Sequence, residues 1–326
     1  TTFPDEPFSS YFSGNTVQIC PVGALTAKPY RFKARPWDLS QQETTCTTCA
    51  VGCRTVVQSS RDEVLRYMGV DSDPVNHGWL CDRGRFNFEA VKSEHRVLQP
   101  LVREGDELLP ASWNTALAAA AALITEAKAA GGVAGIAVIG GARGTNEDAF
   151  AWARVGHEVI GTPNVYSQMG DGLPVGLLGL DRATIDEAAN ATTIVLLGPD
   201  LKEELPVLYL RLRDAAAKQR SRIIELTPKH TGLTRNAWRS IGYEPGTQVA
   251  AVQGALADGA IAAQLAKGNV VIVAGRANLA ESSAATIAAL HALLAAVPGA
   301  KVLPAFRRGN VVGALQVGVR PGKGGL

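Results

Sequence analysis

Short, uninterrupted apolar runs recur through the later part of the chain, and the stretches between them carry apolar residues at helical spacing. A short continuous apolar run is the pattern of a strand buried on both faces of a parallel sheet. Such runs stand at 135–140 (GIAVIG), 193–198 (TIVLLG), 222–226, Val270–Ala274 (VVIVA) and 301–303. Helices are expected over 146–160, 203–219 and 279–296. Thr145 or Asn146 can cap the first of these, and Glu147 and Asp148 suit the positive end of its dipole. This alternation predicts an α/β class fold with a doubly wound, mostly parallel sheet. Earlier residues read differently. Glu63–Gly69 predicts a strand, and Asp71-Ser-Asp-Pro after it a turn. Pro29 and Pro36 flank the basic run 31–35, which reads as a linker. Three segments are therefore expected: 1–36, the end of a small turn-rich module with its linker; 37–97; and the α/β domain 98–326.

Composition narrows the function classes. The chain has 326 residues, enough for about two domains. Thirty-two Lys and Arg against 30 Asp and Glu give a net charge of +2, which argues against a surface built for nucleic acid. With 46% hydrophobic and 19% charged residues, global disorder is excluded. No apolar stretch reaches the roughly 18 residues of a membrane span, so no direct membrane insertion is expected. The segment 284–297 comes nearest and is interrupted by His291. Residues 1–13 carry Asp5, Glu6 and two prolines with no basic start, unlike a signal peptide. With no initiator Met, the chain is expected to begin partway through something longer.

The cysteines carry the chemistry. All five, Cys20, Cys46, Cys49, Cys53 and Cys81, lie in the first quarter of the chain. From Cys46 the spacing is C-x₂-C-x₃-C-x₂₇-C. Three thiolates on one tight loop and a fourth from afar mean zinc or an iron–sulfur cluster. Zinc ribbons favour two paired C-x₂-C knuckles, whereas three-plus-one suits the corners of a [4Fe–4S] cube. Thr44, Thr45, Thr47, Thr48 and Gly52 are small and leave N–H groups free to face sulfur. Arg54 and Arg83 are positioned in sequence to put positive charge beside the thiolates, although either can equally be a surface arginine.

Cys20 precedes Pro21, and a Cys-Pro pair closes the ligand set of bacterial ferredoxins. Only 19 residues precede it, with no C-x₂-C-x₂-C run among them. Either its three partner ligands lie outside this chain, or it is a lone thiol. Gly140–Thr145 follows a predicted strand and opens a helix, so it reads as a tight turn or an anion cradle. It lacks the lysine of a P-loop and the spacing of a dinucleotide fingerprint. Gly170-x-Gly172 and the glycines of 322–325 are weaker signals. The five histidines show no metal spacing, and no Ser/His/Asp or paired-carboxylate set is present to suggest a catalytic residue.

Cys46, Cys49, Cys53 and Cys81, followed by Asp82-Arg83-Gly84-Arg85-Phe86, resemble the N-terminal [4Fe–4S] domain of molybdopterin oxidoreductases. So do His95-Arg96-Val97-Leu98-Gln99-Pro100-Leu101-Val102-Arg103 and Ala111-Ser112-Trp113-Asn114-Thr115-Ala116-Leu117. With Cys20-Pro21-Val22-Gly23-Ala24-Leu25-Thr26 upstream, the resemblance narrows to the large iron–sulfur subunits of bacterial NADH–quinone oxidoreductase, respiratory complex I. That resemblance implies an electron-relay subunit with no substrate-converting site of its own. Cys20 would be the last ligand of one [4Fe–4S] cluster in the transfer chain, and Cys46, Cys49, Cys53 and Cys81 would hold a further one, off the main path. The partners implied are other peripheral-arm subunits, on the cytoplasmic side of the bacterial inner membrane. The family's [2Fe–2S] domain and C-terminal remainder have no counterpart here, so a fragment is expected.

Molybdenum and tungsten enzymes of the same superfamily are the alternative. In those relatives a lysine two residues after the last cluster cysteine relays electrons to the pterin; here that position is Arg83. Gly144-Thr145-Asn146-Glu147 matches a segment before their metal ligand, and downstream only Ser167 and Asp171 are nominal ligands. No thiol follows Cys81, so no molybdopterin is expected in the α/β domain.

Overall fold

The computed structural model describes residues 5, 8–167, 173, 175–276 and 280–323. Its strands, in chain order, are β1 (Ser40–Thr45), β2 (Arg54–Ser60), β3 (Glu63–Gly69), β4 (Leu101–Glu104), β5 (Glu107–Pro110), β6 (Ala137–Ile139), β7 (Asn164–Tyr166), β8 (Thr193–Leu197), β9 (Arg222–Thr227), β10 (Arg239–Gly242), β11 (Val270–Ala274) and β12 (Lys301–Pro304). Packing divides the chain into two compact units, one of Thr1–Asn87 with Gly170–Gly309 and one of Phe88–Met169 with Asn310–Leu326.

The first unit contains the expected parallel sheet, five strands in the order β10-β9-β8-β11-β12. Every neighbouring pair in it is parallel. Alternation along the strands divides the core between the two faces. Ile194, Leu196, Ile223, Val271 and Val273 point one way, towards the helix Pro206–Ala217 and the cysteine loop. Val195, Leu197, Ile224, Leu226, Val270 and Ile272 point the other way, towards the helices Gln248–Ala257 and Ser283–Ala296. Strands buried on both faces explain the continuous apolar runs. Strand order reverses between β8 and β11, which makes their carboxyl ends the topological switch point.

Two expected helices begin or break elsewhere. The helix expected over 203–219 is two, Leu201–Glu204 and Pro206–Ala217. Proline lacks the N–H a continuing helix needs, so Pro206 opens a new helix at its first position. The helix expected from 279 starts at Ser283, because the Ser282 hydroxyl accepts from Ala285 N and caps it there; residue 279 lies outside the described residues.

β1, β2 and β3 form a separate antiparallel sheet in the same unit. In the second unit β4 and β5 make a hairpin, and β6 and β7 a parallel pair. Asn146–Arg154 is helical and continues as a π-helical turn over Val155–Ile160, ended by Gly161 in the left-handed region. Val138, Val165, Ala149, Ala153, Ile160, Ala314 and Val319 form that unit's core.

Candidate iron–sulfur site

The loop from Cys46 to Cys53 joins β1 to β2. It is closed by Cys46 N donating to Cys53 O at 2.9 Å and by Gly52 N donating to Cys49 O at 3.3 Å. Gly52 lies in the left-handed region, φ +63°, which a glycine adopts without steric cost. The loop rests on the chain that follows β12. Ala50 N donates to Phe306 O at 3.2 Å, and Gly309 N donates to Thr47 O at 3.1 Å. Cys81 comes from the other side, immediately before the short helix Asp82–Arg85.

Gly84 on that helix shows how near the thiols lie. A Cβ there would meet Cys46 Sγ at 2.9 Å and Cys81 Sγ at 3.8 Å. Cys49, Cys53 and Cys81 are buried, and Cys46 packs against the same core. Burial pushes the Cys49 thiol up to about 12, and the neighbouring thiols of Cys81 and Cys46 push it further in that direction. Cys53 and Cys81 are also raised, first by burial. Three such buried thiols ionise together only around a cationic centre that compensates the buried charge.

A single zinc ion would need its sulfurs about 3.8 Å apart, from the tetrahedral Zn–S distance. Among the described residues, the one group of three or more His, Cys, Asp or Glu ligand atoms all within 4.8 Å of one another is the exposed Asp71, Asp73 and His77. No three of the four thiols form such a group. One further observation fits a cluster. Thr48, between Cys46 and Cys49, is buried, and its Oγ has no hydrogen-bond partner. An unsatisfied buried hydroxyl costs about 1–3 kcal/mol, unless a group with acceptors lies beside it.

The arginines take three different roles. Arg54 turns away to Glu43, with Nη2 3.2 Å from its carboxylate, and Nη1 donates to Thr45 Oγ1 at 3.0 Å. Arg83 stays with the thiols, where its charge opposes part of the rise at Cys49 and Cys81, and its guanidinium donates to the Glu203 carbonyl oxygen. Glu203's carboxylate in turn accepts from the Tyr11 hydroxyl. Arg85 is buried, a part that nothing in the sequence pattern signals. It donates to Gln18 Oε1 and Asn15 Oδ1, each at 2.8 Å. Asn15 also bridges both backbone groups of Leu80, accepting from its N–H at 3.1 Å and donating to its carbonyl at 2.9 Å. Gly14 N donates to Asp82 Oδ1 at 2.8 Å. The helix Ser13–Ile19 is thereby fastened to the residues around Cys81.

Cys20 caps the C-terminal end of that helix and is not one of the four gathered thiols. It is partly exposed, and backbone hydrogen bonds at Val22, then Leu25, hold its pKa below that of an ordinary thiol.

Of the two readings of 140–145, a tight turn or an anion cradle, the contacts show a turn that caps its own helix. Thr145 Oγ1 accepts from Asp148 N at 3.2 Å, and Asp148 Oδ2 accepts from Thr145 N at 3.0 Å. Glu147 and Asp148 add negative charge there. At the switch point, a Cβ on Gly275 would meet Pro199 Cβ at 2.7 Å and Ala305 Cβ at 3.3 Å, so these turns close on each other. Arg307 also pairs with Glu204, at 3.0 and 3.1 Å. Ser167 is buried after β7, and Asp171, Gly170, Gly172, Gly324 and Gly325 lie outside the described residues.

Residues 40–93 match the model of the molybdopterin oxidoreductase Fe4S4 domain, and residues 96–326 that of molybdopterin oxidoreductase. The chain belongs to the molybdopterin oxidoreductase family. It is 37% identical over 98% of its length to the G subunit of NADH-quinone oxidoreductase from Mycobacterium bovis. It is 33% identical over 97% of its length to the protein of the same name from Streptomyces coelicolor. It spans 40% of the length of each of these relatives. Among solved structures, acetylene hydratase from Pelobacter acetylenicus aligns over 69% of this chain and 32% of its own, with a TM-score of 0.51 and 19% identity, a likeness of fold.

Proposed function

We propose that this chain is an electron-transfer part of an NADH:quinone oxidoreductase, relaying electrons from NADH towards quinone within a proton-pumping complex. Cys46, Cys49, Cys53 and Cys81 hold one [4Fe–4S] cluster. Cys20 contributes the last ligand of a second, whose other ligands lie outside this chain. The observation that carries the reading is the set of four gathered thiols, three of them buried and pushed up in pKa, around a position where only glycine fits. The complex itself comes from the names of the Mycobacterium and Streptomyces relatives.

The protein's part in such chemistry is to position and tune. A bound cluster supplies one-electron transfer, while thiolates, burial and hydrogen bonds set its potential. Arg83 keeps a positive charge beside the sulfurs, and the Asn15–Arg85–Asp82 network fixes the segment before Cys20. No helix among the described residues is long and apolar enough to cross a membrane. In this reading its partners are other peripheral-arm subunits of the complex, on the cytoplasmic side of the inner membrane.

Reconstitution under anaerobic conditions tests the reading. The chain should take up about four iron atoms, following the ligand count for one cube, and give a low-temperature paramagnetic signal on reduction. Cys49→Ala and Cys81→Ala should each abolish that signal. An unchanged signal in both variants, or eight irons, would show the ligand set to be wrong. The family also contains pterin enzymes, so the purified protein should be assayed for fluorescent oxidised pterin. A stoichiometric yield would favour a molybdenum or tungsten oxidoreductase instead.

A further inference from the structure

The hydroxyl of Thr48 stands out among the polar groups of the cysteine loop. It is buried between two of the thiol positions, yet finds neither donor nor acceptor in the protein. The residues around it explain this. Thr47 is committed to Gly309 through its carbonyl, Ala50 N to Phe306, and Gly52 N to Cys49, so the loop's nearby backbone groups are engaged elsewhere. Valine has nearly the same shape, so packing alone does not call for a hydroxyl here.

Resting on the cluster assignment above, we propose that Thr48 is a positioning residue that donates its hydroxyl hydrogen bond to the iron–sulfur centre and thereby holds its reduction potential up. The sulfides and thiolates of a cluster are acceptors, and the reduced cluster carries one more negative charge than the oxidised one. A donor therefore stabilises the reduced form more, and removing it lowers the potential.

The test uses Thr48→Val, which removes only the hydroxyl, and Thr48→Ser, which retains it. Both are reconstituted with iron and sulfide beside the unaltered chain. Iron content and signal intensity in the unaltered chain report on the cluster assignment. The potential and proton couplings of the variants report on Thr48. In Thr48→Val the reduced-to-oxidised ratio at a fixed poise should fall about tenfold, which is about 59 mV for a one-electron couple. Thr48→Ser should stay near the unaltered value. An exchangeable proton coupling, seen by electron–nuclear double resonance in H₂O against D₂O, should be present with Thr or Ser and missing with Val. A fully loaded Thr48→Val protein with unchanged potential and unchanged coupling would overturn the proposal. Should Thr48→Val fail to load, the coupling in Thr48→Ser decides: its presence supports the hydroxyl as donor, and its absence overturns it.

Discussion

Gly84 and Cys46 lie so close that a methyl group on Gly84 would sit 2.9 Å from the sulfur. Leu80 Cδ1, at 3.3 Å on another side, leaves that methyl little room to move. Gly84→Ala must displace Cys46 or shift the short helix after Cys81. Overpacking of this kind costs about 1–3 kcal/mol. Gly84→Ala should therefore remain folded by circular dichroism yet lose most of its iron on reconstitution. Wild-type iron content would show that the thiols have more freedom than the packing allows.

Arg83 supplies positive charge beside the thiols, whereas Arg54 is engaged with Glu43. Replacing Arg83 with Gln removes the charge while leaving a donor for the Glu203 carbonyl. The midpoint potential of the cluster should fall in Arg83→Gln and largely recover in Arg83→Lys. A redox titration followed by paramagnetic resonance reads this directly.

Asn15 satisfies three buried groups at once: the N–H and the carbonyl of Leu80 and the Arg85 guanidinium. Asn15→Ala leaves all three short of a partner. A cost of about 2–4 kcal/mol is expected, because orphaned buried groups retain their full desolvation penalty. Urea unfolding should register it, and limited proteolysis should cut earlier within residues 8–20. Gln18→Ala, whose hydrogen bonds to Gly69 and Arg85 are only partly buried, should cost less.

The thiols also make the iron-free fold sensitive to alkali. Cys49 is raised from 9.0 to about 12 by burial, so the folded chain keeps its proton where the unfolded chain has lost it. Its contribution to stability is complete below the unfolded value and disappears as pH rises from about 9 towards about 12. The urea midpoint of the iron-free protein should fall over that interval, and Cys49→Ala should flatten part of the fall. In the same protein at mildly alkaline pH, iodoacetamide should label the partly exposed, lowered-pKa Cys20 before the buried Cys49, as read by mass spectrometry.

The inner strands β8, β9 and β11 of the parallel sheet were legible because they are buried on both faces, whereas the exposed edge strand β10 (RSIG) has no apolar run to reveal it. Val270–Ala274 and Glu63–Gly69 lie where pattern alone placed them. β1, with the sequence SQQETT and exposed throughout, has no apolar alternation to reveal it; it exists because β2 pairs with it. Trp113–Gly131 hides for a related reason: none of its residues is buried, so its apolar residues mark no inward face. The cysteine spacing was readable because metal chemistry constrains it locally. The Asn15–Leu80–Arg85 network was not, because Asn15 lies 65 to 70 residues from its two partners and nothing in its local sequence marks it. Glu225 is similar. It is a carboxylate wholly buried in β9, made tolerable by the hydroxyls of Thr231, Thr234 and Ser240 that donate to it.

The seating of the cysteine loop on Phe306 and Gly309 has a consequence for the order of events in the cell. All four thiols have left the ribosome once Cys81 and its exit-tunnel length have been made, but the wall that the loop leans on has not. At ordinary translation rates the remaining stretch of more than 200 residues takes about 10–50 seconds to synthesise. During that interval the nascent chain presents a set of free thiols without the support that orders them. Iron and sulfide delivered early would meet a flexible loop open to wrong metals and to oxidation. Delivery after the final strand has docked would meet a loop already held by Phe306 and Gly309.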